Sequence, residues 1–249
     1  DRVFVAGADL KAISELDDDQ LHRYLEYGSK VFGMLSQLPY PTAAAINGAA
    51  LGGGLELAMH CDGLIAAPPA DRDGKPGKPY PVGLPEAGLS ICPGWGGTNL
   101  LPARMRPDRA IAATASGTPM LFDQAREEGL FDEVAASQAD LINTACRWVV
   151  DAAELGVPRR DGAPSRWIGR GNRAAECVKA LDSIRGDLPN TGSGQAVAAA
   201  VDAGLTGGWE EALNVERDRL VKLRRSPEGK AAIEAFFAKS AKPAAPTKG

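Results

Sequence analysis

The chain has 249 residues, 44% of them hydrophobic, enough to bury a sizeable core as one domain or as one domain with an appendage. A net charge of −4, a pI near 5.4 and the lack of a basic cluster argue against a nucleic-acid surface. Four scattered cysteines without a CxxC, and only His22 and His60 as histidines, disfavour a zinc site or a histidine relay and fit free thiols in a reducing cytoplasm. The sequence reads without a signal peptide or a membrane-length apolar run, so a cytoplasmic protein with no membrane partner is expected.

Asp1 to Gly7 reads as a strand already in progress, so N-terminal residues are expected to be missing. Asp9 is placed to cap a short helix beginning at Leu10. A longer helix starts at Asp17, with Gln20 in capping-box position and an apolar stripe of Leu21, Leu25, Gly28, Phe32, Leu35 and Leu38. His22 and Tyr24 lie off that stripe, and His22 reads as solvated. Pro39 and Pro41 end the helix.

Ala43 to Ile46 reads as a buried strand leading into the stretch Asn47 to Asp62, with a tight turn at Gly52-Gly53-Gly54 and a helix over Leu55–Cys61. Glu56, in the first turn of that helix, is either a carboxylate favoured by the helix dipole or a catalytic acid or base. A strand over Leu64–Ala67 and a polar, mobile loop over Pro68–Pro81 follow. Glu86 precedes a second Gly-rich turn, Pro93 to Thr98, and by itself reads as a solvated loop carboxylate. Two short helices around Gly117-Thr118, a helix from Leu141 to about Ala153 and a basic, solvated linker come next. Helices are expected over Arg173–Arg185, Gly194–Leu205, Trp209–Arg225 and Pro227–Lys239. Trp209, Leu213, Leu220, Leu223, Phe236 and Phe237 form their apolar faces, and Glu216 reads as part of a polar surface.

Three segments together resemble the crotonase superfamily, the enoyl-CoA hydratase/isomerase group: Phe4-Val5-Ala6-Gly7-Ala8-Asp9-Leu10-Lys11, Asn47 to Asp62, and Gly83 to Thr98. The helical end is similar to the tail after the hydratase half of multifunctional fatty-acid oxidation proteins. The resemblance implies an α/β fold, a crotonase-like spiral of ββα repeats followed by a helical C-terminal region. The expected division is a catalytic core over 1–150, a linker over 151–172, helices over 173–240 and a flexible tail over 241–249. About 50 family residues before the first segment have no counterpart, so the first repeat is expected to be absent and an edge open.

Carried over by residue, the resemblance implies an oxyanion hole from the backbone N–H groups of Ala8 and Gly53. Glu56 then acts as base on a water, Glu86 exchanges the proton at the α-carbon, and Gly94 helps place the water. Ala6, Ala8, Leu10 and Lys11 would meet the CoA part of an acyl-CoA thioester, with no metal or redox cofactor. The expected activity is hydration of trans-2-enoyl-CoA in fatty-acid β-oxidation. Double-bond isomerisation, thioester hydrolysis and a catalytically silent acyl-CoA-binding subunit stay open. Family members commonly assemble as trimers or paired trimers, so a homo-oligomer is the expectation.

Overall fold

The computed structural model describes residues 3–71, 75 and 77–240 of the chain. The tail expected over 241–249 lies outside the described residues, and so do Asp1 and Arg2.

The chain opens with strand β1 (Val3–Val5), helix α1 (Leu10–Glu15) and helix α2 (Asp18–Gly33). Asp9 caps α1 by accepting from the amides of Lys11 and Ala12. The capping box that starts α2 is complete. Gln20 N–H donates to Asp17 Oδ1 at 2.7 Å, and Asp17 N–H donates to Gln20 Oε1 at 3.0 Å. Leu21 and Leu25 are buried on its inner face, and a 3-10 turn over Met34–Gln37 continues it. His22 is not merely solvated; its Nε2 sits 3.0 Å from Asp218.

Strands β2 (Ala43–Ile46), β3 (Ala49–Leu51), helix α3 (Gly53–Met59) and strand β4 (Gly63–Ala66) come next. Strand β5 (Pro81–Gly83), a 3-10 turn over Glu86–Leu89 and helices α4 (Gly97–Arg104) and α5 (Pro107–Ser116) follow. Short strands β6 (Met120–Leu121) and β7 (Glu133–Val134) flank helix α6 (Phe122–Glu127), and α7 (Leu141–Leu155) ends this part. The helical end comprises α8 (Arg173–Ile184), α9 (Gly192–Gly207), α10 (Trp209–Leu223) and α11 (Pro227–Ser240).

Two open sheets organise these elements. One runs β1-β3-β5-β6, parallel except for the antiparallel β5–β6 pair; the other runs β2-β4-β7, all parallel. Four of the short strands, β3, β5, β6 and β7, were not read from the sequence. Strands of parallel sheets are buried on both faces and carry no polar alternation to betray them. The Pro68–Pro81 loop is closed at its base, because the Tyr80 hydroxyl donates to the Ala67 carbonyl at 2.7 Å. The mobility expected of that loop falls partly on residues 72–74 and 76, outside the described residues.

Alanines on the strands let helices pack close. Helix α7 lies over one face of the second sheet, where Trp148 covers Gly63 so closely that a Cβ there would stand 2.5 Å from the ring. The C-terminal helices share the main core, since Cys177, Leu181, Val197, Val201 and Trp209 join Ile46, Leu55 and Leu64 in one apolar cluster.

The stretch between α7 and α8 departs from the solvated linker expected there. Arg160 forms a fork on Asp62, with Nη1 to Oδ1 and Nη2 to Oδ2 both at 2.9 Å, while its Nε donates to the Leu38 carbonyl. The Asp62 side chain is only 4% exposed and that of Arg160 15%. Asp62 also accepts from Thr42 N–H at 2.9 Å, so one carboxylate ties α3's end to β2 and to the linker. Removing one partner of such a pair leaves the other charge buried and unpaired, which costs about 3 kcal/mol or more. Arg160→Ala is therefore expected to lower the unfolding free energy by about 3 kcal/mol. Arg159→Ala, which removes a pair with Asp161 whose arginine is 76% exposed, changes it by less than about 1 kcal/mol. Guanidinium titrations of both variants check the contrast.

Candidate active site

A cavity of about 190 Å³ lies where the two Gly-rich turns, the start of α1 and the C-terminal helices meet. Its polar wall contains Ala8, Gly53, Glu56, Glu86 and Gly94; its apolar wall includes Leu10, Ile13, Leu25 and Leu220. Ala8, Gly53, Glu56, Glu86 and Gly94, all named from the sequence, thus converge from three separate chain segments. Ala6 also lines the cavity. Lys11 stands apart from that lining, with a side chain 71% exposed and Nζ 3.8 Å from Glu15.

The glycines before Glu56 bring three walls together by having no side chains. Gly52 adopts φ +53°, and a Cβ there would stand 2.6 Å from Glu86 Oε1. A Cβ on Gly53 would lie 2.5 Å from the Trp95 ring and 3.6 Å from the Ala8 nitrogen, which places the Gly53 and Ala8 backbones side by side. As the first residue of α3, Gly53 has no acceptor for its N–H inside the helix.

Glu56 is 1% exposed, so its place in a first helical turn does not make it a surface dipole carboxylate. Its Oε1 accepts from Trp95 N–H and Gly97 N–H, each at 2.8 Å. Neither amide is directed at Oε2. Burial raises its proton affinity well above the usual carboxylate range, helped by the nearby charges of Glu216 and Glu86 and opposed by the two amides. Glu86 is not the solvated loop carboxylate that its surroundings in sequence predict. Its Oε2 is out of solvent with no hydrogen-bond partner, and burial, with help from Glu216, pushes its pKa up to about 7. With that value Glu86 holds and exchanges a proton near neutral pH, and burial shifts Glu56 in the same direction.

Glu216 is the residue that sequence reasoning placed wrongly. It lies on α10 with 0% exposure, inside the core rather than on a polar surface. It accepts from Gly96 N–H at 2.6 Å and Thr98 N–H at 2.9 Å, at the start of α4. A signal existed: Glu216 follows Trp209 by seven residues and Leu213 by three, on the buried side of the helix. Trp95 was also passed over; its indole Nε1 donates to the Leu25 carbonyl at 3.1 Å and its ring lies against Tyr24 and Phe32. Phe236 lines the cavity yet remains 44% exposed, so α11 forms a wall of the site rather than an interior layer.

His60 is buried and neutral, its pKa lowered to about 4 by desolvation, with Nε2 2.9 Å from the Trp95 carbonyl. A carbonyl only accepts, so Nε2 carries the proton and the imidazole braces the second Gly-rich turn. Cys92 lines the cavity, and burial raises its thiol well above the ordinary range, which makes it a poor nucleophile. Among the described residues no three His, Cys, Asp or Glu side chains converge as a metal site requires.

The family model described as enoyl-CoA hydratase/isomerase matches residues 1–156. The chain is similar to the human mitochondrial delta3-delta2-enoyl-CoA isomerase, at 19% identity and TM-score 0.62, over 96% of this chain and 76% of that one. It is similar to an enoyl-CoA hydratase from Bacillus anthracis at 26% identity and TM-score 0.52, over 96% of this chain and 75% of that one. An enoyl-CoA hydratase/isomerase from Mycobacterium paratuberculosis matches at 20% identity and TM-score 0.58, over 94% of this chain and 76% of that one.

The raised proton affinity of Glu86 has a consequence for stability. A carboxyl that titrates higher folded than unfolded holds its proton more tightly in the native state, so stability falls as pH rises from about 4.5 to about 7. Glu86→Gln removes that liability. The variant is expected to gain on the wild type progressively across this window, by up to about 3 kcal/mol, and to keep a constant advantage above it. Thermal unfolding of both proteins between pH 5 and pH 8 checks the trend.

Proposed function

Because the chain belongs to the enoyl-CoA hydratase/isomerase family, whose members act on acyl-CoA thioesters, we propose that it hydrates trans-2-enoyl-CoA to 3-hydroxyacyl-CoA. The observation that carries this reading is the pair Glu56 and Glu86. Both carboxyl groups face one small cavity, and both have proton affinities raised by burial.

In this reading the thioester oxygen sits against the amides of Ala8 and Gly53. As the β-carbon is attacked, electrons move through the conjugated system onto that oxygen, and fixed N–H donors stabilise the enolate without reorganising. One such donor contributes about 3 kcal/mol to lowering the barrier. Glu56 removes a proton from a water as its oxygen bonds to the β-carbon, and Glu86 delivers a proton to the α-carbon. The product gains one water, and proton exchange between the carboxyl groups restores the starting state. Gly94 supplies a backbone position at the cavity wall for that water. The steps are proton transfers, and the CoA arrives with the substrate, so the reaction calls for no metal or redox group. Leu10, Ile13, Leu25 and Leu220 offer the acyl chain an apolar surface.

A second reading, migration of a double bond within a 3-enoyl-CoA, draws support from Glu86. One carboxyl with a pKa near 7 and an unpartnered oxygen suffices to take a proton from one carbon and return it to another.

Loss of the enone absorbance of crotonyl-CoA on adding the protein reads hydration. The expected outcome is turnover by the wild type and a loss on the order of 10³-fold or more in Glu56→Gln and in Glu86→Gln. Isomerisation of 3-enoyl-CoA that survives Glu56→Gln while hydration is absent from the wild type would replace the first reading with the second. Binding of acyl-CoA without either turnover would make the protein a silent binding subunit.

A further inference from the structure

Helix α10 brings a third buried carboxylate to the site, and the chemistry above does not use it. Glu216 is outside the cavity lining, so it does not meet substrate. It accepts from Gly96 N–H, Thr98 N–H and the Thr98 hydroxyl, the last at 2.5 Å. Glu56 accepts from Trp95 N–H and Gly97 N–H. The consecutive amides from 95 to 98 therefore alternate between two carboxylates, one from α3 and one from α10. Gly96 sits at the middle of this alternation with φ +99°, and a Cβ there would stand 2.3 Å from the Trp209 ring. The same C-terminal helix thus fixes the turn through a carboxylate and an indole.

We propose that Glu216 is a positioning residue for Glu56, holding the Trp95–Thr98 turn so that its other two amides meet the catalytic carboxylate. The inference rests on the reading of Glu56 as catalytic. A flexible Gly-rich turn has many conformations, and only one presents alternate amides to two acceptors. The grip of Glu216 on residues 96 and 98 selects that conformation before substrate arrives. An amide side chain cannot replace it, because its NH₂ would face one of the backbone N–H donors. Burial raises the proton affinity of Glu216, and the three hydrogen bonds oppose that rise by favouring its ionised form.

Its charge has a second effect, raising the proton affinities of Glu56 and Glu86 beyond what burial alone produces. Beside it lies the Cys92 thiol, whose Sγ is 3.5 Å from the Glu216 carbonyl and whose proton affinity is raised by burial and by the Glu216 charge. Across the α2–α10 face His22 and Asp218 pair with each other, and on the α9 side Asp202 pairs with Arg185. No cation among these contacts the Glu216 carboxylate.

Glu216→Gln tests the proposal by three readouts: steady-state kinetics with crotonyl-CoA, the titration of ¹³C-labelled glutamate carboxyls, and the amide NMR shifts of Trp95 and Gly97. The expected result is a fall in kcat on the order of 10- to 100-fold with KM held within about twofold. The Glu86 carboxyl should titrate below its wild-type midpoint, since a neighbouring negative charge is gone, and the Trp95 and Gly97 amide resonances should move. Kinetics unchanged from wild type overturn the proposal. So does a loss of activity that only tracks a lowered Tm, with the titration and both amide shifts in place. If Glu216→Gln does not fold, Thr98→Val removes the hydroxyl bond to Glu216, together with the bond that hydroxyl accepts from Asn99 Nδ2 at 2.9 Å, and keeps the Thr98 amide. A kcat lowered about threefold at constant KM then supports the proposal, and an unchanged kcat overturns it. If the wild type does not turn over crotonyl-CoA, the hydratase reading alone has failed. The carboxyl titration and the amide shifts still decide whether Glu216 sets the state of Glu56.

Discussion

The structure depends on one strip of backbone, the amides of Trp95 to Thr98, and on the carboxylates that hold it. A peptide N–H buried without an acceptor is costly, and so is a carboxylate buried without donors. Here each problem solves the other. Glu56 comes from α3, whose start is fixed by β1 and β3; Glu216 comes from α10, which belongs to the helical end. The second Gly-rich turn is therefore pinned between the beginning and the end of the chain. Much of the cavity follows from that arrangement, because the lining residue Trp95 and the start of α4 lie on the pinned segment and Gly94 directly precedes it.

The arrangement opposes stability. Three carboxyl groups share one dry region, and each is pushed towards its protonated form by burial. A protein selected only for stability would replace at least one by an apolar residue. Their place next to a cavity, with donors supplied to two and withheld from an oxygen of the third, is the arrangement on which the proposed proton transfers rest. The arginines between α7 and α8 work in the opposite direction. Arg160 makes a buried charge useful to the fold by filling both oxygens of Asp62.

Much of this was legible in the sequence where a local signal and a tertiary role coincide. The capping box at Asp17 and Gln20 is a property of four neighbouring residues, and it formed as read. The helices α8 to α11 matched their patterns within a few residues, because apolar spacing and glycine breaks set them locally. The two Gly-rich turns and their glutamates were visible as motifs, and the structure brings them to one cavity. What was not legible depends on partners distant in sequence. Glu216 is 120 residues from the Gly96 amide it binds, and its polar type masked its place on an apolar face. Arg160 is 98 residues from Asp62, and its surroundings of Pro, Gly and charge are those of an ordinary surface loop. The strands β3 and β5 are three residues each, too short to show a period.

Apart from the Thr98 hydroxyl on Glu216, both carboxylates read the strip through main-chain nitrogen, so most of this grip is blind to side-chain identity. Exchange of Thr98 keeps its amide rung but gives up the hydroxyl bond to Glu216, and exchange of Trp95 alters the cavity lining without releasing Glu56. Proline is the exception, since it lacks the N–H and would delete a rung outright wherever it fell from 95 to 98. Positions 96 and 97 are narrower still: the first by its left-handed backbone, the second because a Cβ would crowd Glu56 Oε1 at 2.9 Å. Drift in this segment is thus channelled. Trp95 is the position of the four that lines the cavity and can alter its shape, while the two carboxylates behind the strip stay where they are.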